Sequence, residues 1–275
     1  MDTAQGQLGR LFPVSRYLHR NAGHHGPVML MYHSVIPGNS RPTWPWAVSM
    51  RRFRSHLDFL VAEGWNTPTM AQLVAQPALG RGRTVVLTFD DGYVDNLAAC
   101  EELQKRNLCA SWFIVASRIG QTPDWPDDGR PSGRLLNASE LRDMQAAGME
   151  IGSHGLDHVR LTEIEDSRLY TELHDSKNIL QHLLGKTISS FAYPYGAWDA
   201  RCAEAVQLAG YTAACTTRTG WALRDNNPYQ LRRLSIFNTD TDNHFVRKIS
   251  LGSHETSWRA WADFGFKRLR NRAGV

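Results

Sequence analysis

The chain has 275 residues, of which 42% are hydrophobic, 10% aromatic and 21% charged, with a mean hydropathy of −0.41. That composition can build one large globular domain with a sizeable core, and it excludes a disordered chain, a collagen-like repeat and a small disulfide scaffold. The formal net charge of +4 is concentrated in residues 258–275, where Arg259, Lys267, Arg268, Arg270 and Arg272 face Asp263 alone, and nothing in the pattern is an organised nucleic-acid footprint.

The first 27 residues read as a polar N-terminal extension. They show neither the apolar stretch nor the small-residue cleavage site of a secretory signal, and no apolar run approaches the roughly 20 residues that span a bilayer. The expectation is a soluble, cytoplasmic protein whose four cysteines, Cys100, Cys109, Cys202 and Cys215, stay reduced. From residue 28 short apolar runs alternate with amphipathic stretches, as in parallel β/α construction. The runs at 28–32, 85–89, 110–115, 149–152, 188–193, 212–216 and 231–236 predict strands. Between them, 49–63, 94–106, 139–147, 162–184 and 199–209 predict helices. Capping boxes are expected at Asn137-x-x-Glu140 and Thr162-x-x-Glu165. Residues 118–137 form a long loop of the kind that borders binding sites. A main α/β domain is expected over 28–250. Residues 251–275 form a basic tail whose Trp258, Trp261, Phe264 and Phe266 pack on the body, with peripheral contact to an anionic membrane as the alternative.

Two absences narrow the chemistry. The chain lacks a P-loop and a G-x-S-x-G nucleophile elbow, and its Gly80-Arg-Gly82 precedes a strand, where a dinucleotide fingerprint would follow one. The polar residues that remain cluster at predicted strand ends. Thr88-Phe89-Asp90-Asp91-Gly92 ends the run 85–89. Two adjacent carboxylates there are costly unless a cation neutralises one, although an aspartate at this place could also cap the next helix. Ser153-His154-Gly155-Leu156-Asp157-His158 follows the run 149–152, and two imidazoles four residues apart can reach one divalent ion such as Zn²⁺, Co²⁺, Ni²⁺ or Fe²⁺. Tyr193-Pro194-Tyr195-Gly196 makes a turn after 188–193, with outward N–H groups and rings that could wall a groove. His33 ends the first strand, and Arg232-Arg233 lie in the last, where one arginine pointing inward would need a carboxylate. His19, His24, His25, His174 and His182 read as solvated or packing residues. In a β/α barrel the C-terminal strand ends share one mouth, and that shared location favours function over six separate core accidents.

Residues 28–236, with Thr88–Gly92, Ser153–His158 and Phe191–Gly196 in this order, resemble the polysaccharide deacetylase family, carbohydrate esterase family 4. The resemblance implies a single-domain distorted (β/α)7 barrel that removes acetyl groups from glycans such as poly-N-acetylglucosamine, chitin or peptidoglycan. It implies Asp91, His154 and His158 as ligands of a divalent metal, most simply Zn²⁺. Asp90 would be the general base, and Tyr195 would offer its backbone N–H to the oxyanion, with Tyr193, Pro194 and Gly196 completing the substrate-binding turn. Two departures stand out. Ala192 occupies a position where many members carry an arginine, and the late Leu-x-His motif is missing. The version here resembles the poly-N-acetylglucosamine deacetylase branch, which implies His33 as general acid and Arg233 as the orienting arginine. An acetylated glycan is then the expected partner, with no nucleic acid. A lipid-linked or small acetylated sugar, or a decayed glycan-binding module, are the alternative readings.

Overall fold

A computed structural model describes residues 11–20, 22–127 and 129–257. It begins with α1 (Pro13–His19), then β1 (Val28–Tyr32), β2 (Ser34–Ile36), β3 (Ala47–Ser49), α2 (Met50–Ala62) and α3 (Met70–Ala75). There follow β4 (Val85–Phe89), α4 (Asn96–Gln104), β5 (Ser111–Ile114), α5 (Ala138–Ala146), β6 (Glu150–Ser153) and α6 (Asp166–Leu184). The chain closes with β7 (Ser190–Ala192), α7 (Ala200–Leu208), β8 (Ala213–Cys215), β9 (Leu234–Ser235) and α8 (Asp242–Leu251). Seven strands make one parallel sheet in the order β8-β7-β6-β5-β4-β1-β9, while β2 and β3 pair in a separate two-stranded sheet. No helix among the described residues is long and apolar enough to cross a membrane.

The sheet curls into a barrel because both of its faces are covered. Val28–Tyr32 and Val85–Phe89 are buried at every position, as expected of parallel strands that alternate between an interior and a helix-covered exterior. Leu30, Tyr32, Leu87, Phe89 and Trp112 face the helices, packing with Phe53 and Leu57 of α2. Met29, Val86 and Phe113 face inward, with Met70 and Leu73 of α3. Helix α3 stoppers the N-terminal end of the barrel. Its first N–H groups, on Met70 and Ala71, donate to Ser111 Oγ (2.9 Å) and Glu150 Oε2 (3.1 Å), the first residues of β5 and β6. The opposite end is left for chemistry.

The edges β8 and β9 are joined through the segment before β9. Leu231 N–H donates to Ala214 O at 3.0 Å and Thr216 N–H to Leu231 O at 2.8 Å, with Cys215 and Leu231 bridged in parallel. The distorted seven-stranded barrel expected from the sequence is therefore present, closed by a seam narrower than a strand.

Several expected boundaries shift for local reasons. The run 231–236 shortens to Leu234–Ser235 because the two preceding arginines are drawn elsewhere: Arg232 into a two-point bond with Asp225, and Arg233 into the barrel. The helix expected from 162 begins at Asp166, and the Thr162–Glu165 capping box does not form. Arg201 donates to the carbonyls of Leu161 and Ile164 and to Asp166, holding Leu161–Glu163 as a 3-10 turn instead. The Asn137–Glu140 box is present. All four cysteines are free thiols. The N-terminal extension contributes α1, whose His19 is buried against Trp65 and accepts its Nε1–H at 3.0 Å. The tail aromatics from Trp258 onward lie outside the described residues.

Candidate active site

Strand alternation explains how an acid reaches the barrel interior. Val86 and Thr88 of β4 point inward, so Asp90, one step past the strand, does too. It is 2% exposed and meets Arg233 in a two-point ion pair, Nη1 to Oδ1 at 2.6 Å and Nη2 to Oδ2 at 2.8 Å. Arg233 is fully buried and also donates Nε–H to Thr216 O (3.0 Å) and Nη1–H to Thr88 Oγ1 (3.2 Å). Burial pushes the Asp90 pKa up, but Arg233 outweighs it, assisted by His154 and His33, and the carboxyl stays below its ordinary value. Asp90 is an ionised carboxylate with both oxygens engaged by a fixed guanidinium.

The chain then turns sharply. Asp91 has φ of +71° and Gly92 of +85°, and a Cβ on Gly92 would sit 2.8 Å from Ile114 Cδ1, so glycine is required there. The turn swings Asp91 Oδ1 to 3.5 Å from His154 Nε2 and 3.3 Å from His158 Nε2. Suitable ligand atoms of Asp91, His154 and His158 all lie within 4.8 Å of one another, and all three residues are buried. His154 Nδ1–H donates to Ala192 O at 2.8 Å, which fixes the tautomer and leaves the Nε2 lone pair facing the cluster. Its pKa is lowered to about 4, by burial above all, so the ring is neutral. Asp91 Oδ1 is buried with no hydrogen-bond donor. A buried carboxylate oxygen without a donor, facing the Nε2 atoms of two imidazoles, is the donor set of a divalent cation and would be costly without one. The residues present therefore fit a metal ion.

His33, just past β1, brings its ring to this mouth, lying 5.1 Å from the Trp46 ring and 6.0 Å from Trp44. Its Nδ1 is buried and unpartnered, while its carbonyl accepts from Asn96 Nδ2 at 2.8 Å. After β7, Tyr195 takes φ of +58° inside the Pro194–Gly196 turn. Its exposed ring lies 4.5 Å from His158, with the Arg160 guanidinium 4.5 Å above it. The turn corrects one expectation. The Tyr193 ring is fully buried among Phe191 and Trp198, with its hydroxyl donating to Tyr229 O at 3.1 Å. It supports the turn from beneath and does not wall a groove; Pro194 is buried as well, and Tyr195 is the turn's exposed ring.

The rest of the rim comes from residues the sequence did not single out. Trp125, in the long loop, lies tilted against His158, with ring centroids 4.3 Å apart. The same loop is tied across the mouth by Trp44 Nε1–H donating to Asp127 at 2.9 Å. It is braced internally by Arg130, which donates to the carbonyls of Trp125 and Pro123. Tyr93 buries its hydroxyl beside Asp91, and its pKa is driven far up by burial and then by that carboxylate.

The sequence pattern of the polysaccharide deacetylase family matches residues 80–214. YxkH, assigned as a polysaccharide deacetylase in Bacillus subtilis (strain 168), is 28% identical over 212 residues, covering 76% of this chain and 70% of its own. Residues 80–214 belong to the polysaccharide deacetylase family. A second relative is the poly-β-1,6-N-acetyl-D-glucosamine N-deacetylase of Staphylococcus aureus, 22% identical over 224 residues, covering 76% of this chain and 74% of that one. Against PgdA, a peptidoglycan-N-acetylglucosamine deacetylase of Listeria monocytogenes, this chain spans only 28% of the relative's length, at 24% identity. Among solved structures IcaB from Ammonifex degensii shares the fold, with TM-score 0.67 and 24% identity over 83% of this chain and 97% of that one. The barrel thus carries Asp90, Asp91, His33, His154, His158, Tyr195 and Arg233 at one mouth.

Proposed function

We propose that this protein is a metal-dependent hydrolase that removes N-acetyl groups from an amino-sugar glycan, with Zn²⁺ as the ion held by Asp91, His154 and His158. The observation that carries the reading is the adjacency of two unlike acid sites. Asp91 faces two imidazole nitrogens, while its neighbour Asp90 is held ionised by Arg233. One carboxylate is thereby suited to a cation and the other to a proton.

A bound divalent ion would polarise the acetyl carbonyl and lower the pKa of water at the site. Asp90 removes a proton from the attacking water, and Arg233 keeps that carboxylate oriented and charged until it does. The Tyr195 N–H donates to the oxygen that gains charge as the tetrahedral centre forms, a contact typically worth about 10²–10³ in rate. His33 gives a proton to the departing amine, a poor leaving group without it. Trp125 and Trp44 exclude bulk water from the same space. The relatives' names support an N-acetylglucosamine polymer, and poly-β-1,6-N-acetylglucosamine is the substrate we favour among them.

Acetate release from N-acetylglucosamine oligomers tests the reading. Activity should vanish with chelator and return with Zn²⁺ or Co²⁺. Asp90→Asn should keep the ion yet lose turnover, and His154→Ala should lose both. Normal turnover in Asp90→Asn would remove the base from the mechanism.

A further inference from the structure

The loop from His154 to His158 must hold two rings on one point, yet its own sequence, Gly155-Leu156-Asp157, has little to stiffen it. The structure shows what does. Glu172 lies on α6, on another turn of the fold, and is wholly buried. Its Oε2 accepts two successive backbone N–H groups of the loop, Leu156 at 2.8 Å and Asp157 at 3.0 Å. Its other oxygen is 2.9 Å from Arg168 Nη2, and the same guanidinium grips Asp157. From the opposite side, the loop carbonyls of Gly155 and Leu156 accept from the N–H groups of Ala116 (3.1 Å) and Ser117 (3.0 Å), just past β5. Ser153 Oγ takes the Gly155 N–H at 3.2 Å and bonds onward to Ser176 of α6 at 2.9 Å. The fit is close. Gly155 has φ of +82°, and a Cβ there would come 3.2 Å from Glu172 Oε2 and 3.6 Å from Pro194 Cγ. The loop ends with His158 in the left-handed region, φ +56°, a conformation a histidine keeps only where the surroundings impose it.

We infer that Glu172 is a positioning residue of the metal site, acting through the loop backbone: its carboxylate oxygen sets where His158 stands relative to His154. Both hydrogen bonds it makes to the loop are to N–H groups that strand pairing leaves free, and removing the acceptor strands two part-buried donors at once. Partners that orient metal ligands typically change affinity 10–100-fold when lost. The inference rests on the metal-site reading above and concerns only how this chain holds its ligands.

The test is metal binding, read apart from turnover. Zn²⁺ affinity by competition with a chromophoric chelator, and the visible spectrum of the Co²⁺ form, are compared across Glu172→Ala, Glu172→Asp and Glu172→Gln, with thermal unfolding of each metal-free variant. Glu172→Gln keeps an oxygen in place and should bind within about threefold of the parent with the same spectrum. Glu172→Ala should bind 10–100-fold more weakly with an altered Co²⁺ spectrum. If the alanine variant does not fold, Glu172→Asp, one methylene too short to reach the loop, should show the same loss. Parental affinity and spectrum in the folded alanine or aspartate variant would overturn the inference, as would a glutamine variant as impaired as alanine. A parent protein that binds no divalent ion would instead overturn the metal-site reading beneath it.

Discussion

At the scale of single residues, Arg233 has the largest electrostatic consequence. It is the only cation in two-point contact with Asp90 among the described residues, and both are buried. Breaking a buried pair from one side leaves an unpaired charge, which typically costs about 3–5 kcal/mol, whereas replacing both partners costs much less. Arg233→Met should therefore be strongly destabilised in urea unfolding, and Asp90→Asn/Arg233→Met should recover a large part of the loss. Equal destabilisation of the single and double variants would mean that Arg233 matters through Thr216 and Thr88 and not through Asp90. The need for this arginine was legible in advance: Ala192 stands where related sequences place one, and Arg232-Arg233 put two charges in an apolar run, one of which had to point inward. Its mode of arrival was not. Periodicity places Arg233 in a strand, but its side chain is pulled across the seam, so the strand starts only after it.

At the scale of elements, α2, β1 and α8 meet at His56. This ring accepts or donates at Nδ1 with Tyr32 Oη (3.0 Å), stacks on Phe245 at 4.0 Å, and leaves Nε2 buried without a partner. Its pKa is lowered to about 3, chiefly by burial, with Asp242 opposing and Arg52 and Lys248 adding to the shift. The folded pKa lies below the unfolded value near 6.5. Between these limits the unfolded chain binds a proton that the folded chain refuses, so stability is complete above pH 6.5 and falls as pH drops toward 3. The slope attributable to one such group is at most about 1.4 kcal/mol per pH unit. Chemical unfolding of chelated protein at successive pH values should show this acid limb, and His56→Gln should flatten it; an unchanged limb would assign the acid sensitivity elsewhere. The elements themselves were largely readable. Strands such as VMLMY and VVLTF are buried on both faces and so appear as unbroken apolar runs, and α2, α5 and α7 fall within a residue or so of expectation. What escaped were α1, α8, β2, β3 and α3. The last three are three to six residues long and exist only because distant partners complete them: β2 and β3 pair with each other across ten residues, and α3 is anchored by Ser111 and Glu150.

For the whole molecule, the mouth is a junction of segments far apart in the chain, with the Asp91–His154–His158 cluster from the ends of β4 and β6, the Asp90 partner Arg233 from beside β9, and a roof from the loop around Trp125. An ion that binds only the folded form stabilises it by about 2.7 kcal/mol at one hundred times Kd. For a domain of this size that corresponds to a rise in Tm of about 2–4 °C per kcal/mol. Differential scanning calorimetry should show such a rise on adding Zn²⁺ to chelated protein and none in His154→Ala. The barrel and the carboxylate–imidazole cluster could be read from strand-end motifs, because fold geometry gathers strand ends by itself. The aromatic roof could not, since Trp44 and Trp125 meet the site only through loops whose course depends on the Asp127 contact. The backbone at this mouth also has a longer-range consequence. Of the five non-glycine residues with positive φ among the described residues, Asp91, His158 and Tyr195 all belong to the mouth, the other two being Asn107 and Asn226. Each such conformation costs an ordinary side chain roughly 1–2 kcal/mol. Laboratory evolution that rewarded heat resistance alone would be drawn to these three positions, replacing them with glycine or asparagine, and would yield a sturdier barrel with its chemistry erased.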